Sequence, residues 1–348
     1  MVMKRQIVVA CALLLARGGF AGIAVDFENR DPGVYTEDMM ADDFDGLNWS
    51  NGLDQQRARV TADGDGRVLR VAYPQGGVGA GTNGGGVQFK CALGAKTDSA
   101  YAEYRIKFGA GFDFVKGGKL PGLCGGQCNT GGDKCTGTDG WSARYMWRAD
   151  GKAVVYLYDM MMREYGADID LNHPDFFYFE PGVWYTIRQF IQMNDPDIRN
   201  GRIKVWIDGE EMLDYRYAKF RSTENLKINL LYFSTFFGGG TSSWAPTKDE
   251  HIFFDDIRAW DAAGASKAGA PRRLAGKSRP FELRKNMLRI RTGSGVRGAS
   301  LYTCGGVLVW QAAGEGLLAG VRGLSRGSYV LHVETALGAR AWPIVAAW

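Results

Sequence analysis

Lys119, Ser142, Arg144, Tyr156 and Tyr158 are side chains of the types that together hold an anion and move a proton. A guanidinium such as Arg144 can grip a carboxylate through two parallel hydrogen bonds. Lys119 would add a second positive charge, and Ser142 a further hydrogen-bond donor. A phenol, with an unperturbed pKa of about 10, acts as a base near neutrality only where nearby cations favour the phenolate. There is a plainer reading: tyrosine and arginine often pair on exposed sheet faces, and a lysine among glycines is ordinarily solvated.

Spacing decides whether these groups can meet. Residues 141–158 read as a hairpin turning at Asp150-Gly151. Side chains alternate between faces along a strand, so Ser142, Arg144, Met146 and Arg148 share one face, as do Lys152, Val154, Tyr156 and Tyr158 on the return strand. A three-residue loop, Ala149-Asp150-Gly151 with Gly151 left-handed, sets Arg144 across from Tyr156 and Ser142 across from Tyr158. A two-residue loop would oppose Arg144 to Leu157 and mix the faces, so matching apolar with apolar favours three. Lys119 is expected on a tight loop, freed by Gly117 and Gly118 and fixed by Pro121. Arg148, Lys152 and Lys116 are the further cations expected to bind substrate.

The blocks Lys116-Gly-Gly-Lys-Leu-Pro-Gly-Leu123, Ser142-Ala-Arg144 and Tyr156-Leu-Tyr158, in this order, resemble the alginate lyases of polysaccharide lyase family 14. The likeness covers about 60 residues firmly and extends more loosely over the strands out to Trp260. It implies a β-jelly roll and a β-elimination on a 4-linked uronan such as alginate. The family's functional lysine falls on Lys119, its serine and arginine on Ser142 and Arg144, and its tyrosine pair on Tyr156 and Tyr158. Cys124 stands where the family's loop is expected to carry an aromatic residue, which bears on subsite shape. In such a reaction the C5 proton lies next to a carboxylate that must be neutralised, so Arg144 and Lys119 would stabilise the developing enolate-like charge. Tyr158 is assigned as base and as the acid returning a proton to O4, with Tyr156 positioning the sugar or sharing that role. No cofactor is required.

The rest of the chain must supply the scaffold. Of 348 residues, 45% are hydrophobic and 23% charged, with 49 Gly and 10 Pro, which excludes a disordered or collagen-like chain. The net charge of +4 is uneven. Basic excess sits at both ends, leaving 26 basic against 35 acidic residues between Val25 and Asp261, a poor match to general binding of nucleic acid or an anionic membrane. Residues 68–73, 86–91, 101–108, 143–147, 153–159, 183–192, 202–207, 226–233 and 252–260 read as strands. So many short strands predict an all-β protein, a jelly-roll β-sandwich over 25–261. A linker at 262–278 and a smaller β-sandwich tail over 279–348 follow. The tail, with strands expected at 283–290, 299–310 and 328–334, resembles the C-terminal sorting domains of secreted bacterial proteins; a small carbohydrate-binding module and an inert spacer are its rivals.

Residues 1–24, with Lys4 and Arg5 before an apolar run, read as a secretory signal peptide too short to span a bilayer. A lipoprotein reading at Cys11 is the alternative. The expectation is a secreted monomer, with surface attachment through the tail as an option and an acidic polysaccharide as its partner. Export permits disulfides, and Cys128 with Cys135 is the preferred bridge. A zinc site on Cys124, Cys128 and Cys135 lacks a nearby histidine. A structural Ca²⁺ on Asp249, Glu250, Asp255 and Asp256 is less favoured than solvated acids, and no metal is expected. His173, His251 and His332 fall on separate elements, and Trp184, Trp206, Phe236, Phe237 and Trp244 could either stack on sugars or pack. Two other readings stay open: a non-catalytic carbohydrate-binding jelly roll, and a lyase specific for glucuronan. A glycoside hydrolase would need a carboxylate pair that the strands do not offer.

Overall fold

The computed structural model describes residues 22–44, 49–64 and 66–262, and in the C-terminal part 281–284, 287–290, 296–303, 307–313, 320–322, 327–335 and 338–346. The chain divides into two units, Met1–Arg272 and Arg273–Trp348.

The first unit is built from Gly22–Val25 (β1), Gly33–Val34 (β2), the helix Glu37–Phe44 (α1), Ser50–Asn51 (β3), Ala58–Asp63 (β4), Gly66–Tyr73 (β5), Val87–Thr97 (β6), Ser99–Phe108 (β7), Gly117–Gly126 (β8), Gly140–Arg148 (β9), Ala153–Tyr158 (β10), Ala167–Asp170 (β11), Trp184–Gln192 (β12), Gly201–Ile207 (β13), Glu210–Ala218 (β14), Ile228–Phe237 (β15) and Glu250–Asp261 (β16). One sheet runs β14-β13-β12-β7-β16-β5-β4-β2, with β1 also on β16; the other runs β11-β10-β9-β8-β15-β6-β3. Their inner faces meet in one apolar core, where Phe254 packs against Phe233 with ring centroids 5.0 Å apart and Phe108 against Trp147 at 5.7 Å. Aromatic contacts of this kind dominate the burial that holds two sheets together.

The two sheets differ on their outer faces. Strand β7 alternates strictly, with Ala100, Ala102, Tyr104, Ile106 and Phe108 buried and their neighbours half-exposed. Along β8, β9 and β10 nearly every residue is buried on both faces, because loops lie over the outer side as the core lies under the inner one. A polar side chain there is removed from bulk water, which strengthens any electrostatic interaction it makes.

Strand β8 corrects the expected loop at Lys119: Gly117–Gly126 is a central strand between β9 and β15. Its glycines and proline read as turn residues, but here they serve close packing. A Cβ on Gly118 would stand 2.2 Å from the Trp147 ring, so glycine lets that indole lie across the strand. Pro121 sits at a register shift on both sides, between Leu120 and Leu123 against β9 and between Tyr232 and Phe236 on β15. A proline inside a sheet is tolerated at such a bulge because it has no N–H for the ladder. Side chains of the opposite sheet satisfy the local backbone. The Gln189 amide accepts from Leu123 N–H and donates to Ala143 O, and the Tyr104 hydroxyl donates to Pro121 O.

Strand β1 begins at Gly22 and pairs with β16 from Trp260 to Ile257, so the leader boundary expected at 24 falls inside a paired strand. Residues 1–21 and most of the expected linker lie outside the described residues. The second unit has two antiparallel sheets. One joins Phe281–Arg284, Met287–Ile290 and Gly320–Arg322. The other joins Leu308–Ala313, Val296–Thr303, Gly327–Thr335 and Gly338–Ala346 in that spatial order. The stretches 283–290 and 299–310, each expected as one strand, are each a pair of strands.

Candidate active site

The hairpin of β9 and β10 turns through Ala149–Gly151 with positive φ at Asp150 and Gly151, and Arg148 N–H bonds Lys152 O. This is the three-residue loop, and it sets Arg144 opposite Tyr156 and Ser142 opposite Tyr158, as expected. Lys119 pairs in register with Met146 on one side and Phe236 on the other, which places it on the same face as Arg144. All five groups therefore converge on one side of the seven-stranded sheet, and all are buried: Ser142 is 0% exposed, Tyr158 1%, Arg144 2%, Tyr156 8% and Lys119 9%.

Lys119 Nζ lies 4.6 Å from the Tyr156 ring centroid and 5.9 Å from that of Phe236. Among the described residues no carboxylate is within ion-pair distance of it. Burial pushes its ammonium well below the usual lysine range, and Arg144 and Arg148 push it the same way. Arg144 reaches across β8 to donate to Ser234 Oγ at 3.0 Å, and its guanidinium lies 5.0 Å from the Tyr232 ring centroid. Gly122 opens that path, since a Cβ there would stand 2.3 Å from Ala143 O and 2.7 Å from Arg144 Cα. The Arg144 Nε–H is buried with no acceptor among the described residues. Leaving such a donor unmatched costs about 1–3 kcal/mol, more for a charged group.

Tyr156 and Tyr158 meet edge to face with ring centroids 5.4 Å apart. Burial raises the Tyr156 pKa above the ordinary phenol value, as does the neighbouring Tyr158 hydroxyl; Arg148 and Arg144 oppose this without prevailing. Around Tyr156, desolvation of the anion outweighs the two guanidinium groups. Tyr158 OH accepts the Gly132 N–H at 3.3 Å, and Ser142 Oγ donates to Asn129 O at 2.7 Å. Both residues are held by the 127–139 segment lying over them.

Arg148 and Lys152, expected to bind substrate, each pair with an acid of β11. Arg148 makes a two-pronged pair with Asp168 at 2.8 and 2.5 Å, and Lys152 an ion pair with Asp170 at 2.7 Å. Strand β11, which pairs in register with β10, carries the acids there. Lys116 donates to Ser243 Oγ at 2.9 Å.

The expected Cys128–Cys135 bridge is also corrected. The disulfide joins Cys124 to Cys128, across a turn at Gly126-Gln127 closed by Cys128 N–H on Gly125 O, with their Cα atoms 5.2 Å apart. Cys135 is a free thiol buried in the main core, as is Cys91, and Cys304 lies outside the described residues. The bridge also takes two ligands from the zinc reading. Asp249, Glu250 and Asp255 are hydrogen-bonded to Gln75 N–H, Asp113 N–H and Arg105, respectively, and Asp256 stands 3.6 Å from Arg105.

The sequence reading missed Ser234 and Tyr232 on β15 and Gln88 on β6. Tyr232 OH donates to Gln88 Oε1 at 2.8 Å, and Gln88 Nε2 donates to Asn51 Oδ1 at 2.9 Å. Their signal was available in the alternation Tyr232-Phe-Ser234-Thr-Phe236, but nothing local ties it to a hairpin 90 residues away. Among the aromatics considered, Phe236 and Trp244 face the site, Trp244 lying 5.9 Å from Arg148. Trp184 and Trp206 instead cover Lys107 and Lys204 on the other sheet, and Phe237 is core. The three histidines lie on other elements, against Phe176, Phe253 and Tyr302.

Residues 61–257, more than half of the chain, match the polysaccharide lyase 14 family. The chain belongs to that family. The lyase shares its fold with alginate lyase Aly36B, at 24% identity and a TM-score of 0.61 over 70% of this chain and 97% of that one. It also resembles the marine PL-14 alginate lyase from Aplysia kurodai, at 23% identity and a TM-score of 0.58 over 70% and 100%. A third likeness is to alginate lyase vAL-1 from Chlorella virus, at 22% identity and a TM-score of 0.53 over 62% and 92%. No curated protein sequence matches. The stacked sheets of the lyase are the jelly-roll β-sandwich of these structures. No helix among the described residues is long and apolar enough to cross a membrane.

Proposed function

We propose that this polysaccharide lyase cleaves a 4-linked polyuronate such as alginate by β-elimination, leaving 4,5-unsaturated uronate ends. The observation that carries the reading is the buried Arg144, for which the described residues offer neither an acceptor to its Nε–H nor an acid to neutralise it. A sugar carboxylate supplies both an acceptor and the opposite charge. Docked there, its charge is stabilised as the C5–H bond breaks, by a guanidinium already fixed against Ser234 and Tyr232.

The opposite displacement of Lys119 and Tyr156 supports a division of the proton transfers between them, one as base and the other as acid. Lys119, driven toward the neutral amine, takes the C5 proton; the C–H electrons form C4=C5 and the C4–O4 bond breaks. Tyr156, held protonated, gives its proton to the departing O4. The Lys119 ammonium then restores the phenol. Tyr158 and Ser142, expected as base and carboxylate donor, brace this arrangement through the 127–139 segment. No step requires a metal or redox cofactor.

The leader-like residues 1–24 and the Cys124–Cys128 bridge support an exported enzyme. The tail is read as a sorting or accessory module. Incubating the purified protein with alginate and with glucuronan tests the reading. Ultraviolet absorption from the new C4=C5 bond is expected with at least one polymer. Reducing ends without that absorption would mean hydrolysis, and binding without either would mean a non-catalytic module.

A further inference from the structure

Among the described lysines of the first unit some pair with acids and others do not. Lys107, Lys152, Lys204, Lys219, Lys227 and Lys248 pair with acids. Lys90 on β6, like Lys119, has no carboxylate within ion-pair distance among the described residues, although it faces the same side of the sheet. Its register partner is Tyr232, the residue whose ring lies under Arg144. Lys90 Nζ stands 5.5 Å from the Tyr232 ring centroid and 5.5 Å from that of Trp49, and donates to Gln127 O at 2.9 Å. Trp49 is 41% exposed, and its ring meets Tyr232 edge-on at 6.2 Å.

We propose that Lys90, Trp49 and Tyr232 form a second uronate subsite, which holds the sugar next to the one gripped by Arg144. The inference rests on the polyuronate reading above. A uronan carries one carboxylate on every unit. Two cations with no acidic partner among the described residues, each within 5.5 Å of the centroid of one tyrosine ring, match two consecutive carboxylates. Lys90 Nζ and the Arg144 guanidinium carbon both lie close to that one centroid, at 5.5 and 5.0 Å, so they stand no more than about 10.5 Å apart, within reach of neighbouring units of one chain. The open Trp49 face offers the apolar side of a pyranose a stacking surface beside the charge. Burial and then Arg144 both lower the Lys90 pKa, a sign that the two cations stand in one field.

The test compares Lys90→Ala, Lys90→Arg and Trp49→Ala with the wild type on the polymer and on uronate oligomers of increasing length. Lys90→Ala is expected to raise KM on the polymer about tenfold, the effect of losing about 1.4 kcal/mol of binding. KM on the shortest cleavable oligomer and kcat at saturation should change less than about twofold, and the salt dependence of KM should weaken. Lys90→Arg should restore most of the affinity, and Trp49→Ala should raise KM on long substrates with no change in salt dependence. An unchanged KM on the polymer, or an equal loss on short and long substrates, would overturn the subsite. Calorimetric titration of the polymer separates this from a failure of the lyase reading: a wild type that turns over no polyuronate refutes catalysis, while the Kd of Lys90→Ala still reports the subsite.

Discussion

Replacing Lys119 with methionine should make the protein more stable and nearly inactive at the same time. The side chain is 9% exposed, and its Nζ has no acidic partner among the described residues, so the folded state bears the cost of an uncompensated buried charge whenever the amine is protonated. Exchange of a buried ionic group for an apolar one of similar volume is worth about 1–4 kcal/mol. Loss of the cation–π contact with Tyr156 opposes this by about 0.5–2 kcal/mol. A net gain of about 1–2 kcal/mol follows, or roughly 2–8 °C in Tm for a unit of this size. The sign depends on pH. With its folded pKa depressed below the unfolded value of about 10.4, Lys119 leaves the folded chain with fewer bound protons than the unfolded chain between those two values, so wild-type stability rises with pH there. The advantage of Lys119→Met is therefore full below the folded pKa and vanishes as pH nears 10.4. Thermal melts across pH, read beside kcat from ultraviolet absorption, measure both effects. Loss of the base should lower kcat about 10²- to 10⁴-fold. A variant that keeps a tenth or more of wild-type kcat, or that melts lower at neutral pH, would refute the reasoning.

Tyr156→Phe should cut kcat on the polymer about 10²- to 10⁴-fold while sparing substrates with a leaving group that needs no protonation; equal losses on both would deny it the role of acid. In the wild type, kcat/KM should climb as Lys119 loses its proton and hold until above pH 10, because Tyr156 stays protonated beyond the ordinary phenol value; a fall beginning near neutrality would count against the pairing. Gly122→Ala should destabilise by about 1–3 kcal/mol and weaken substrate binding, since its Cβ would meet Ala143 O and Arg144 Cα; an unaltered KM and Tm would show the bulge to be pliable. Reducing the Cys124–Cys128 bridge, or Cys128→Ser, should cost about 2 kcal/mol by chain entropy. It should also lower activity, because the 127–139 segment touches Ser142, Tyr158 and Lys90; activity indifferent to reductant would separate the bridge from the site.

Part of this site was readable in one dimension. The period-2 alternation of residues 141–158 and the Asp150-Gly151 tip fix which side chains face each other, so the Arg144–Tyr156 and Ser142–Tyr158 pairs follow from local geometry. The strands expected at 68–73, 101–108, 183–192 and 252–260 correspond to β5, β7, β12 and β16 for the same reason: alternation survives translation into a half-buried sheet. Strand β8 did not read as a strand, because a segment of glycine and proline buried on both faces has no alternation to display. Its conformation is imposed by Trp147, Gln189 and Tyr104, which come from other parts of the chain.

The sequence by itself determined the residue types, the pairing inside one hairpin and the all-β character, since each depends on contacts within about twenty residues. Only the tertiary structure decided that Lys119 is buried rather than solvated and that Arg148 and Lys152 pair with Asp168 and Asp170. It alone showed that Cys128 bonds Cys124 and that Ser234, Tyr232, Gln88 and Lys90 complete the face. Burial and counter-charge are properties of the space around a side chain, and that space is filled by strands far apart in the chain.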